Sequence, residues 1–97
     1  MVKDIYYFFV PWFTESHWKE VNRLTFGDPN HGGIYSRWVE RGERELNELK
    51  AKGVGIRKVF IKAAEYEKWC KEKKMAYGPL SRMLFVGDKV DKASAFN

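Results

Sequence analysis

The side chains of this sequence that could carry chemistry are mainly cations, and they are unevenly distributed. Residues 49–74 hold nine Lys or Arg against three Glu, a net charge of +6, whereas residues 1–48 hold six Lys or Arg against eight acids. Such a basic segment attracts polyanions, because each lysine or arginine that meets a phosphate releases counterions. We therefore predict contact with nucleic acid or a nucleoprotein complex through one set of side chains. These are Arg57, Lys58, Lys62, Lys68, Lys71, Lys74 and Arg82.

Two other interpretations of the basic segment stay open. Lysines on helices are common on solvated faces that bind nothing, and lysine–phosphate contacts carry little sequence information. The composition fits equally well a protein-interaction or inhibitor module of the kind found among accessory proteins of phages and mobile elements, because aromatic side chains often anchor interfaces. DNA, RNA and an acidic protein all remain candidate partners.

A second candidate site is the glycine-rich loop 27–33, which precedes a predicted helix. Backbone N–H groups at a helix start favour anions, and nearby cations would add to the attraction. The loop matches neither the dinucleotide nor the P-loop glycine pattern, and Asp, Pro, Asn and Gly are also ordinary turn residues. It predicts a nucleotide or anion site of low specificity formed by His31, Gly32, Gly33 and Arg37.

Three arginines of the predicted second helix, Arg37, Arg41 and Arg44, form a stripe that resembles a phosphate-binding surface. Glutamates lie one turn away along the same helix, at positions 40, 45 and 48. Opposite charges at this spacing neutralise one another. We therefore expect a solvated, salt-bridged face here.

Nucleophilic and metal chemistry have weak support. His17, His31 and Cys70 show no CxxC or HxxxH spacing, although a Cys–His pair formed in space stays open. Cys70 falls on the apolar face of a predicted helix, where a thiol is usually inert. We expect a non-enzymatic protein without metal or cofactor. The single cysteine suits a reducing, cytoplasmic location.

The run IYYFFVPWF at residues 5–13 holds six aromatic side chains and no charge. It is too short to cross a membrane. Its β-branched and aromatic residues predict a strand over 4–10, closed by Pro11, which cannot donate to a ladder. The aromatics either form the core strand or a platform on which bases stack. Because several helices need a surface to cover, we favour the core.

The remaining elements predict a small α+β or α/β fold of one domain, residues 1–97. Residues 80–86 suit a strand or a helix; since two strands make a marginal sheet, we favour a third strand at 82–86. A helix-turn-helix at 63–86 is a minor alternative, because residues 80–86 are too apolar to enter a DNA groove. The expected fold is a two- to three-stranded sheet covered by about three helices, in the order β-α-α-β-α and then β or α, with a loose tail at 88–97. The other predicted elements are helices at 14–26, 34–52 and 63–74 and a strand at 55–62.

Overall fold

The computed structural model describes residues 7–94, and the side chains of residues 7–91. The elements follow one another in the order β-α-α-β-α-α, which confirms the predicted small α+β fold. They are β1 (Tyr7–Trp12), α1 (Glu15–Phe26), α2 (Tyr35–Ala51), β2 (Gly55–Phe60), α3 (Ala63–Lys73) and α4 (Pro79–Ser94). None of these helices is long and apolar enough to cross a bilayer.

β1 and β2 form a parallel two-stranded sheet in which Tyr7 pairs with Gly55 and Trp12 pairs with Phe60. Parallel neighbours need a long crossover, which α1 and α2 supply. Side chains alternate between the two faces of a strand, so the residues of each pair share a face. α2 packs near Trp12 on one face, while Phe9 lies beside α4 on the other.

Local signals define the ends of α1 and α2 as the sequence predicts. Thr14 precedes α1, and Gly27 follows it with a left-handed φ of 75°, its N–H donating to the Arg23 carbonyl at 2.8 Å. α2 ends at Ala51, and Gly53 has a φ of 88°. Glycine adopts such angles without steric cost, which is why it stops a helix.

Residues 79–94 are helical, so the expected third strand at 82–86 is wrong. Pro79 is the first residue of α4, where its fixed φ suits a helix and its missing N–H costs nothing. The Ser81 hydroxyl accepts the Gly78 N–H at 3.1 Å and thus caps the helix start. The expected loose tail is also wrong as far as Ser94, and residues 95–97 lie outside the described part of the chain.

Pro11 lies inside β1, opposite Val59, and does not end the strand as expected. Within residues 7–94, β1 has a paired neighbour on one side only. The missing N–H of a proline is tolerated on such an edge strand. The predicted residues 4–6 of this strand lie outside the described residues.

The core lies where α1, α3 and α4 meet beyond the carboxyl ends of the strands, and it is closed by Trp38 of α2. Its centre is the fully buried Tyr66, whose hydroxyl bonds to Ser81 Oγ at 2.6 Å. The buried core residues are Phe13, Trp18, Val21, Ile61, Ala63, Tyr66, Cys70, Phe85 and Val86.

The aromatic run divides into two parts. Trp12 and Phe13 are buried, whereas Tyr7, Phe8 and Phe9 are 41–45% exposed. The expectation that the run is core is therefore wrong for Tyr7, Phe8 and Phe9, while Ile5 and Tyr6 lie outside the described residues. The described helices bury Trp12 and Phe13 at the carboxyl end of β1 and leave the side chains at its amino end exposed.

Candidate anion-binding cavity

Two of the predicted nucleic-acid contacts, Arg57 and Lys58, lie on opposite faces of the sheet. The Arg57 guanidinium lies 4.4 Å from the centre of the exposed Tyr7 ring. The Lys58 ammonium lies 4.1 Å from the Trp12 ring and forms an ion pair with Glu43 of α2. A phosphate would have to compete with Glu43 for Lys58, so these two cations do not act as one site.

The predicted contacts on α3 are spread along its length. Lys68 and Lys71 lie within 4.0 Å of the glutamates one turn away, Glu72 and Glu67. Lys62 and Lys74 flank the two ends of the helix, about 18 Å apart at 1.5 Å per residue. Exposed pairs of this kind are weak and readily exchanged. The lysines therefore form a dispersed positive surface.

Arg82, the last of the predicted contacts, is half-buried between helices. Its guanidinium carbon lies 5.8 Å from the Phe13 ring centre. Its Nε is buried and has no hydrogen-bond partner among the described residues. A buried charged donor without a partner is costly, which sets Arg82 apart from the exposed lysines.

Arg82 lines two cavities of about 210 and 450 Å³, and both also contain Phe13, Trp38 and Arg41 in their walls. The smaller cavity lies between α1, the loop 27–33, α2 and α4. Its lining holds no acidic residue, whereas Glu45 lines the larger one. The smaller cavity is therefore the better place for an anion. Its walls are Phe13, Trp18, Val21, Asn22, Phe26, His31, Gly32, Trp38, Arg41 and Arg82.

Trp38 lines both cavities and is the centre of the aromatic cluster beside them. Its ring centre lies 4.7 Å from that of Trp12, 5.8 Å from that of Phe13 and 6.4 Å from that of Trp18. Trp38 and Arg41 are three residues apart on α2 and therefore project to the same side. Packing of the tryptophan into the cluster thus brings the arginine to the cavity.

The loop 27–33 forms the other side of the smaller cavity. Asn22 of α1 donates from Nδ2 to the Pro29 carbonyl at 3.3 Å and holds the loop against the helix. The His31 ring stacks on Phe26, with ring centres 3.7 Å apart. His31 and Gly32 line the cavity, while Gly33 and Arg37 do not. Half of the predicted anion-binding set thus meets Arg82.

Sequence reasoning missed Arg41, because it assigned the whole arginine stripe to a salt-bridged face. Arg44 does pair with Glu40, at 3.9 Å. Arg41 is exposed, as expected for a solvated face, but it forms no ion pair with any described residue and lines both cavities. The sequence feature that distinguishes Arg41 from Arg44 is Trp38, a large aromatic residue one turn before Arg41 on the core side of α2.

The other chemically active side chains are used by the fold. His17 Nδ1 accepts the Ala63 N–H at 3.1 Å and caps the start of α3, and Cys70 is buried in the core. Among the described residues, no three His, Cys, Asp or Glu side chains come close enough to hold a metal ion.

Comparisons with protein-family models, with curated proteins and with solved structures find no match to this chain. The case for function therefore depends on the cavity and on the distribution of charge and exposed aromatic rings.

Proposed function

We propose that this chain is a non-enzymatic nucleic-acid-binding protein whose smaller cavity receives a backbone phosphate. The observation that supports the proposal is the convergence of Arg41 and Arg82 on a cavity with no acidic residue among its described lining, together with the lack of any hydrogen-bond partner for Arg82 Nε among the described residues. The site differs from the strand–helix segment 57–74 favoured by charge counting.

A phosphate in the cavity would be bound by the N–H groups of Arg82 that line it. Guanidinium groups bind phosphate through two parallel N–H donors, and such charge-assisted bonds are about twice as strong as neutral ones. The cavity volume of about 210 Å³ is several times the roughly 30 Å³ occupied by one water molecule in the liquid. It therefore has room for a phosphate group together with a few waters.

Binding of a nucleic acid explains more features of the molecule than binding of free phosphate does. The chain carries a net charge of +5, which attracts a polyanion over a distance. Arg57 lies over the exposed Tyr7 ring, and Phe9 is exposed on the same face of the sheet. Proteins that bind single strands combine cations along the backbone with aromatic rings for the bases. We therefore expect single-stranded DNA or RNA to bind more tightly than a duplex.

The test is equilibrium binding of fluorescently labelled single-stranded and double-stranded DNA and RNA across a salt series. We expect affinity for the single strand to fall as salt rises. Arg41→Gln and Arg82→Gln should each weaken binding at least about tenfold, because a hydrogen bond to a charged group contributes about 1.5–3 kcal/mol.

Arg44→Gln is the matched control. It removes the same charge from the same helix, but from an arginine that already pairs with Glu40. We expect it to weaken binding by less than about threefold, the effect of an exposed charge. Negligible binding at low salt contradicts the proposal. So does an Arg44→Gln effect as large as that of Arg41→Gln, which would indicate general charge attraction without a phosphate site.

A further inference from the structure

The outer face of α4 carries an apolar surface that phosphate binding does not use. Leu80, Met83 and Leu84 are 66%, 60% and 47% exposed, and Gly87 continues the row at helical spacing. We call these four residues the α4 stripe. Shallow cavities of about 520 and 310 Å³ lie along Met83 and Gly87, and Phe9, Met75 and Val90 extend the apolar lining. Contiguous apolar surface of this kind is typical of interfaces.

Gly87 has no role within the described fold that requires glycine. A side-chain carbon added there would meet nothing within 4 Å. Glycine inside a helix is about 1 kcal/mol less favourable than alanine. Its presence in the middle of α4 fits close approach by something outside this chain.

The charges around the α4 stripe are opposite at its two ends. α3 runs antiparallel to α4, with Glu65 paired to Lys89 and Trp69 bonded to Asp88, so Lys73 at the end of α3 lies toward the amino-terminal half of α4. Asp91 lies beside Gly87, toward the carboxyl end. A surface with a cation at one end and an acid at the other is complementary to a second copy of itself turned by 180°.

We infer that the α4 stripe is the interface of a two-fold symmetric homodimer in which two α4 helices pack antiparallel. Positions 80 and 87, like positions 83 and 84, are equally far from the midpoint of the α4 stripe. A two-fold axis at that midpoint therefore places Leu80 of each copy against Gly87 of the other, and Met83 against Leu84. The same rotation brings Lys73 of each copy toward Asp91 of the other. Every contact occurs twice, as an isologous interface requires.

The test is the molar mass of the full chain, measured by sedimentation equilibrium over a concentration series. The wild type should reach twice the chain mass of 11.5 kDa. Leu84→Glu and Gly87→Glu should each give the single-chain mass at the same concentrations. Ile34→Glu is the control, because Ile34 is 62% exposed but lies at the start of α2, away from α4. It should leave the dimer intact. Circular dichroism checks that each variant is folded.

A charge exchange tests the antiparallel register. Lys73→Glu and Asp91→Lys should each weaken the dimer at least about tenfold when two such changes act in one symmetric interface. The double variant should recover most of the wild-type affinity. A wild-type chain that stays monomeric overturns the inference. This holds even if its α4 stripe binds a different protein. A dimer that survives Leu84→Glu, or a double variant without recovery, also overturns it. None of these results depends on nucleic-acid binding.

Discussion

Arg41 of α2 and Arg82 of α4, which are far apart in the chain, line the same two aromatic-walled cavities. Arg82 Nε is buried and has no hydrogen-bond partner among the described residues. Phe13 and Trp38 line the same two cavities, so the packing of these rings brings the two arginines to one region of the surface.

Replacement of Arg82 by methionine separates ligand binding from stability. Arg82→Met removes an unsatisfied buried donor and keeps most of the apolar stem, so it should raise the free energy of unfolding in urea, measured without added anion, by up to about 1–3 kcal/mol. Inorganic phosphate should stabilise the wild type and leave the variant unchanged. A loss of several kcal/mol without anion would show that Arg82 is a structural group.

Gly42 is needed for the close contact between α2 and Trp12. A Cβ at position 42 would lie 2.8 Å from the Trp12 indole. Gly42→Ala should therefore destabilise the chain by about 1–3 kcal/mol in urea unfolding, despite the better helix propensity of alanine. Gly87→Ala, measured where the chain is monomeric, is the control and should stabilise by up to about 1 kcal/mol. Equal effects at both positions would contradict this packing.

His17 caps α3 across a sequence separation of 46 residues. His17→Ala removes the acceptor for the Ala63 N–H and should lower the free energy of unfolding by about 0.5–2 kcal/mol, the range for a lost N-cap. Ser16→Ala, an exposed neighbour on α1, should change it by less than about 0.5 kcal/mol. If the two variants unfold alike, the cap contributes nothing.

Substitution of Tyr7 tests whether the exposed end of the sheet contacts bases. Tyr7→Ala should weaken binding of a single-stranded oligonucleotide by about 1–3 kcal/mol, the usual contribution of one stacked base. Phe60→Ala is the matched control, since Phe60 is an exposed aromatic at the other end of the sheet. A larger loss at Phe60 than at Tyr7 would place the strand elsewhere on the surface.

Local signals predicted the helices well and the surroundings of the sheet poorly. Gly27 and Gly53 act on their own neighbours, so the ends of α1 and α2 follow from the sequence. The prediction for residues 82–86 was wrong because the expected number of strands was given more weight than the helix-start signal of Pro79. Exposure of Tyr7, Phe8 and Phe9 depends on how many strands and helices surround them, which no local pattern contains.

The cavity itself could be predicted only in part. His31, Gly32 and Arg82 were candidates, but from two separate sites, because charge counting follows the chain and the cavity joins α1, α2 and α4. Arg41 was set aside since its spacing to glutamate predicts an ion pair. Its proximity to Arg82 arises from the packing of Trp38 against Phe13, which is a tertiary contact.

The most direct test of the phosphate site is the NMR resonance of the Arg82 Nε–H group during titration with a single-stranded oligonucleotide. Phosphate bound by the Arg82 guanidinium should shift this resonance at the same oligonucleotide concentrations that saturate fluorescence binding. Arg41→Gln should weaken both responses together, and Arg44→Gln should change neither. An oligonucleotide that binds while the Arg82 Nε–H resonance stays unchanged would contradict the account.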